Sequence, residues 1–274
     1  MDITAYKMDS LGNDFVIIDQ RIKNIEFSKE QIIKICDRNF IGCDQLIIIK
    51  KHRELDAGLE FYNSDGSGSS ACGNGTRCVA YLLSKENNNK EITVWTASGI
   101  IKTNILKDNL VESRIGVDKI KWNEIPINEN KNTKNLGIKI LDENNNEHIG
   151  GTAINVGNPH VIFFVENIDN FNIKKIGPAI ENNKLFPEKC NVTIAEVINQ
   201  NLIKVKVWER GAGQTKACGT AACATAVAGN INGFTKARTD IEFELGKLSI
   251  FLDEKNNAHM KGPVSEIKEI DIKL

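Results

Sequence analysis

Leu59-Glu60-Phe61-Tyr62, a polar loop holding Gly66 and Gly68, and then Ala71-Cys72-Gly73 form one stretch of this chain. Val205-Lys206-Val207-Trp208, a polar loop holding Gly211 and Gly213, and then Ala217-Cys218-Gly219 form another, 146 residues further on. The same offset relates Gln45 to Asn191 and Phe40 to Phe186, and an offset of 145 relates Gly12-Asn13-Asp14-Phe15-Val16-Ile17 to Gly157-Asn158-Pro159-His160-Val161-Ile162. Three correspondences in the same order with nearly constant spacing predict two copies of one α/β unit, an α+β protein with pseudo-twofold symmetry. The expected halves are 1–117 with a returning segment 264–274, carrying Cys72, and 118–263, carrying Cys218.

Short apolar runs support that reading. Phe15-Val16-Ile17-Ile18, Leu46-Ile47-Ile48-Ile49, Val161-Ile162-Phe163-Phe164 and Val205-Lys206-Val207-Trp208 read as strands. Asn-rich clusters at 86–90 and 143–147 read as exposed turns, because Asn tolerates left-handed backbone geometry. Helices are expected near 28–38, 72–84, 174–182 and 218–230.

Composition narrows the function classes. The 274 residues are 41% hydrophobic and 26% charged, as in an ordinary globular protein, with length for one large domain or two modest ones. A formal net charge of −1 gives no electrostatic reason to expect a nucleic acid or an anionic membrane as partner. The N-terminal MDITAYKMDS has no basic region followed by an apolar run, and no apolar stretch approaches the roughly 18 residues of a membrane span, so a cytoplasmic protein is expected. Seven cysteines without a secretion signal argue against a disulfide framework.

The chemistry points to the two repeated cysteines. Each follows a polar loop and opens a helix, where unpaired N–H groups and the positive end of the helix dipole favour an anionic sulfur. A pseudo-twofold axis is expected to bring the two helix starts face to face across a cleft. That arrangement suits inversion at a carbon acid: a thiolate takes a proton from one face and a thiol returns one to the other. The N–H groups of Gly73-Asn74 and Gly219-Thr220 are candidates to hold an α-carboxylate and the charge that develops on deprotonation. An ordinary thiol, with a pKa of about 8.5, is only partly ionised near neutrality, so His160 and Glu209, at the ends of repeated strands, are candidate tuners.

Plainer readings compete with these. Buried cysteines are usually inert, the role expected of Cys36, Cys43, Cys78, Cys190 and Cys223. His160 alone reads as a strand-end histidine, and Glu209-Arg210 as a surface ion pair. No Cys-x-x-Cys occurs and the four His are scattered, so no metal site is expected; the glycine runs fit neither a dinucleotide nor a P-loop pattern.

Ala71-Cys72-Gly73-Asn74-Gly75-Thr76-Arg77-Cys78, with Glu209-Arg210-Gly211-Ala212-Gly213-Gln214-Thr215-Lys216-Ala217-Cys218-Gly219-Thr220, resembles the two cysteine signatures of the diaminopimelate epimerases. The likeness extends through Leu11-Gly12-Asn13-Asp14-Phe15, Gly157-Asn158-Pro159-His160 and Asn191-Val192. It implies two similar halves, each a β-barrel-like sheet around a central helix, with the active site between them. It implies interconversion of LL- and meso-2,6-diaminopimelate without cofactor or metal, in the lysine and peptidoglycan precursor pathway, by a homodimer. Cys72 and Cys218 take the acid and base roles. Contacts to the distal end of the substrate fall on Asn63, Asn158, Asn191 and Arg210, with Glu209 near the distal amine, and Asn13 and Gln45 match further pocket positions. A bidentate Arg among amides suits a carboxylate, and a substrate lacking that end leaves these groups unpaired.

The chain departs from the family where Met8-Asp9-Ser10 replaces Met-His-Gly, where Ala221 replaces a Gly, and in the Gly/Ser-rich loop 64–70. Two rivals remain: a sister racemase on the same fold, for example one acting on histidine, and a non-enzymatic small-molecule binder or thiol redox protein.

Overall fold

The computed structural model describes residues 2–107, 109–117, 119–254 and 257–274. In chain order the elements are β1 (Asp2–Ser10), β2 (Asn13–Asp19), α1 (Lys29–Cys36), β3 (Gln45–Lys50), β4 (Ala57–Asn63), β5 (Gly68–Ser69), α2 (Gly73–Asn87), β6 (Glu91–Thr96), β7 (Gly99–Ile105) and β8 (Leu110–Val117). There follow β9 (Ile138–Leu141), β10 (Glu147–Gly150), β11 (Thr152–Asn155), β12 (Pro159–Val165), a 3-10 turn (Ile168–Asn170), α3 (Ile173–Glu181), β13 (Asn191–Asn199), β14 (Leu202–Glu209) and β15 (Gly213–Thr215). The chain ends with α4 (Gly219–Ile231), β16 (Arg238–Phe243), β17 (Gly246–Leu252), β18 (Asn257–Pro263) and β19 (Lys268–Lys273). Two compact units result, Met1–Arg114 with Lys261–Leu274, and Ile115–Met260.

Strand pairing is the same in both. In the first unit β2 and β3 run parallel with Phe15 opposite Gln45, β3 and β4 run antiparallel with Gln45 opposite Asn63, and β4 and β6 run parallel with Ala57 opposite Val94. In the second, β12 and β13 run parallel with His160 opposite Asn191, β13 and β14 antiparallel with Val192 opposite Trp208, and β14 and β16 parallel with Ile203 opposite Ile241. A parallel pair needs a crossover. The four helices supply them, α1 and α2 in the first unit, α3 and α4 in the second.

Alternation along the strands sorts the core. Phe15, Ile17, Ile47, Ile49, Leu59 and Phe61 pack with Cys78–Leu83 of α2, while Val16, Ile18, Leu46 and Ile48 pack on the α1 side with Ile32 and Ile35. Strands buried on both faces read as continuous apolar runs, which is why β2 and β3 do. Residues 74–84 of α2 are all buried, and so are Gly219 and Ala221–Gly229 of α4. A helix buried on every side is a central one. It touches β1, β2, β6 and β7 in the first unit and β11, β12, β13, β16 and β17 in the second.

Ends and turns follow local chemistry. Ser28 and Gln31 form a reciprocal capping box on α1. Asn88 (φ 53°) ends α2, and Asn145 (φ 63°) turns the β9–β10 hairpin, one from each Asn cluster. Phe40 and Phe186 differ: Phe40 is 40% exposed under Lys34, whereas Phe186 is in the core of the second unit. Among the described residues no helix is long and apolar enough to cross a membrane.

Candidate active site

The registers explain why residues far apart in sequence meet. In the first unit Asn13 opens β2, Gln45 opens β3, Asn63 closes β4 and Cys72 caps α2. Because β3 is parallel to β2 and antiparallel to β4, all three strand ends lie on one rim of the sheet. Gln45 Nε2 donates to Asn63 Oδ1 (2.8 Å), and Asn63 Nδ2 donates to Ser67 Oγ (3.0 Å).

Cys72 is the N-cap of α2, and its sulfur accepts the Gly75 N–H (3.4 Å). The sulfur also lies 3.8 Å from Asn13 Oδ1, which accepts from Asn74 Nδ2 (3.3 Å). Asn13 is held in turn by its Nδ2, which donates to Asp44 Oδ2 (3.0 Å), while Arg38 pairs with both Asp14 and Asp44. Behind Asn74 sits Arg77, fully buried, with Nη2 donating to Asn74 Oδ1 (2.5 Å) and Ser10 Oγ (2.8 Å) and Nη1 to Gly73 O (3.4 Å). Neither Asp44 nor Arg77 was expected from the sequence. Arg77 is recognisable afterwards as the residue three after Asn74 on one helix, a spacing that lets side chains meet.

The second unit repeats the rim with different side chains. Asn158 precedes β12, Asn191 opens β13, Glu209 closes β14 and Cys218 caps α4. The Cys218 sulfur lies 3.4 Å from Thr220 Oγ1 and beside the Ala221 N–H, and the thiol faces the Glu209 carboxylate and hydrogen-bonds it. Burial, and then the Glu209 charge, keep the Cys218 proton well above the usual thiol range. The two cysteines thus cap equivalent helices with different side chains beside them, Asn13 at Cys72 and Glu209 at Cys218.

His160 is fully buried. Burial, helped by the Arg210 charge, pushes it down to about 3. Its Nε2 lies 2.9 Å from Asn158 Oδ1, so it donates there as a neutral ring. A neutral imidazole supplies no charge to a thiolate, and the hydrogen-bond partners found for this ring are the amides of Asn158 and, at 3.5 Å, Asn191. Asn191 is itself buried, donating to Pro159 O (2.9 Å) and accepting the Arg210 N–H (3.0 Å). The exposed Arg210 donates to Glu188 O (2.7 Å). Glu181, also missed by sequence reasoning, holds the following loop by accepting from Trp208 Nε1 (2.8 Å) and Gly211 N (3.1 Å). Among the described residues no group of three or more His, Cys, Asp or Glu is placed to hold a metal ion.

The same architecture recurs in solved structures. A phenazine biosynthesis protein of the PhzF family from Bacillus anthracis covers the whole of both chains with a TM-score of 0.70 at 14% identity. A predicted epimerase from Pseudomonas aeruginosa gives 0.71 at 12% identity, covering 98% of this chain and 99% of that one. At such identities the likeness is one of fold. A family model described as diaminopimelate epimerase matches residues 5–120 and 152–267, two stretches of equal length that cover both rims. The chain belongs to the diaminopimelate epimerase family. A protein named diaminopimelate epimerase from Pelagibacter ubique (strain HTCC1062) is 68% identical over 274 residues, all of both chains. One of the same name from Carboxydothermus hydrogenoformans is 39% identical over 264 residues, 94% of each. In this chain each of the two units carries one of the helix-capping cysteines.

Proposed function

We propose that this enzyme interconverts LL- and meso-2,6-diaminopimelate by two-base proton transfer, with Cys72 and Cys218 on opposite faces of the α-carbon. The observation that carries the reading is the equivalence of the two cysteines as N-caps of the two central helices, combined with their unlike neighbours. A two-base inversion needs one sulfur as thiolate and one as thiol at the same moment. The Glu209 carboxylate favours the thiol form of Cys218. The Gly75 N–H donates to the Cys72 sulfur, a bond that strengthens when the sulfur is charged. In one direction Cys72 Sγ takes the α-proton and becomes a thiol, the C–H electron pair stays on the α-carbon delocalised into its carboxylate, and that pair takes the Cys218 proton on the other face, leaving Cys218 a thiolate. In the reverse direction the roles exchange.

The N–H groups of Gly73-Asn74 and Gly219-Thr220 are proposed to bind the α-carboxylate, at helix starts suited to an anion. Arg210, with Asn63, Asn158, Asn191 and Glu209, is proposed to read the distal amino-acid end, and Asn13 and Gln45 to complete the first rim. Asn191 does this through the Arg210 backbone, since its own amide is occupied. In this proposal the two units are the two catalytic halves, needing neither cofactor nor metal, and family resemblance supports a cytoplasmic homodimer.

The test is an inversion assay with LL-diaminopimelate, lanthionine and histidine side by side under reducing conditions, repeated with Cys72→Ala and Cys218→Ala. Rapid inversion of diaminopimelate, abolished by either substitution, is expected. Faster inversion of histidine, or turnover by a single-cysteine variant, overturns the substrate or the mechanism respectively.

A further inference from the structure

Cys36 and Cys43 both read as inert buried thiols from sequence. Cys36 is the last residue of α1 and Cys43 stands two residues before β3, separated by the loop 37–42. Their sulfurs are 3.4 Å apart, with the Cys43 thiol donating to the Cys36 sulfur. The backbones are already paired, because Cys43 N–H donates to Cys36 O (3.2 Å) and Gly42 N–H to Ile35 O (3.1 Å). A disulfide holds its sulfurs about 2.05 Å apart, so these two have under 2 Å to close.

The loop between them is fixed at both ends. Lys7 Nζ donates to Ile41 O (3.1 Å) and Gly42 O (2.8 Å), Arg38 pairs with Asp14 and Asp44, and Gly42 takes a left-handed φ of 77°. We propose that Cys36 and Cys43 are a redox-active dithiol, separate from the proton-transfer cysteines, that closes to an intramolecular disulfide when the enzyme meets a hydroperoxide.

Cys36 is the attacking partner. The Cys43 S–H and the Leu46 N–H both donate to its sulfur, which holds it below the usual thiol range, while Cys43, giving up its hydrogen bond and buried, is held above. The Cys36 thiolate attacks one oxygen of the peroxide, the O–O bond breaks, and hydroxide leaves to be protonated to water, giving Cys36 sulfenic acid. The Cys43 sulfur then attacks the Cys36 sulfur, the S–O bond breaks, and a second water leaves carrying the Cys43 proton. Two thiols are oxidised by two electrons as one peroxide is reduced to two waters, and a small dithiol returns both thiols.

The experiment uses the full chain with Cys72→Ser and Cys218→Ser, so that neither proton-transfer thiol competes and no activity readout is needed. After hydrogen peroxide and alkylation of remaining thiols, trypsin separates Cys36 in the peptide 35–38 from Cys43 in 39–50. Recovery of the two peptides joined, two hydrogens lighter than their sum, and released by dithiothreitol, is expected. In the same background Cys43→Ser, whose hydroxyl keeps a donor beside the Cys36 sulfur but cannot form a disulfide, is expected to leave Cys36 as a sulfenic acid trapped by dimedone, with the circular dichroism spectrum unchanged. Both peptides recovered alkylated after peroxide, or Cys36 unlabelled in the Cys43→Ser protein, overturns the proposal.

Discussion

Replacing Gly75 with alanine adds one methyl group under the helix start that carries Cys72. That methyl would stand 2.6 Å from Ile47 Cδ1, 3.2 Å from Phe61 Cε1 and 3.3 Å from Phe15 Cε1. Optimal carbon contacts lie near 3.5–4.0 Å, so the helix must lift by about 1 Å or the core must give. Ile47, Phe61 and Phe15 are at most 2% exposed and have nowhere to go. Overpacking of this kind costs roughly 1–3 kcal/mol, equivalent to a melting temperature lower by roughly 4–8 °C at about 2 kcal/mol. Because the Gly75 N–H caps the Cys72 sulfur, a lift of about 1 Å is also expected to lower turnover on the order of 100-fold.

The second unit supplies the internal control. Ala221 occupies the equivalent place, and the cross-strand pair beneath is Thr193 with Val207 where the first unit has Ile47 with Phe61. Smaller side chains make room for the methyl. Ile47→Val removes the atom nearest the new methyl, so Gly75→Ala combined with Ile47→Val is expected to melt higher and turn over faster than Gly75→Ala alone, although Ile47→Val by itself costs roughly 0.5–1.5 kcal/mol. Thermal melts and an inversion assay on the four proteins complete the cycle. A Gly75→Ala protein indistinguishable from the parent, or losses that simply add, refutes the packing argument.

Three further outcomes follow from the same contacts. Glu209→Gln removes the charge that helps keep Cys218 protonated, so the alkaline limb of the turnover–pH profile, which reports loss of the required thiol, moves to lower pH; a limb that stays or moves up contradicts the assignment. His160 binds its proton at about 3 folded and near 6.5 unfolded, so its stabilising contribution is present above pH 6.5 and is lost as pH falls toward 3, by about 1.4 kcal/mol per pH unit. Urea unfolding at pH 6.5 and 5 measures that slope, and His160→Gln should flatten it. Arg77→Met leaves the Asn74 and Ser10 partners unfilled in the core and should lower unfolding free energy on the order of 3 kcal/mol, with a larger fall in turnover than a surface Arg38→Met of similar size; equal stability to the parent defeats this.

The duplicated blocks made the architecture readable because strand ends and helix caps must recur wherever the unit recurs. Asn13, Gln45, Asn63 and Cys72 share a rim as a consequence of two strand registers, and neither register is written in any single residue. What sequence could not show was environment. His160 looks like a source of charge on paper and is a neutral donor to an amide once buried. Arg77 belongs to a residue type that normally reaches solvent, so its place in the core was unexpected. The Glu209 carboxylate reaches Cys218 across a loop that the β14–β15 pairing folds back, a return set by the Glu209 to Gly213 register.

Isotope exchange in deuterium oxide tests the two-thiol mechanism most directly. Starting from LL-diaminopimelate and stopping early, the meso product is predicted to carry solvent deuterium at the inverted carbon while recovered substrate carries none, because the sulfur that donates is not the one that abstracts. Product that retains the substrate's own protium, or substrate that gains deuterium before any product appears, would contradict proton transfer between two separate thiols.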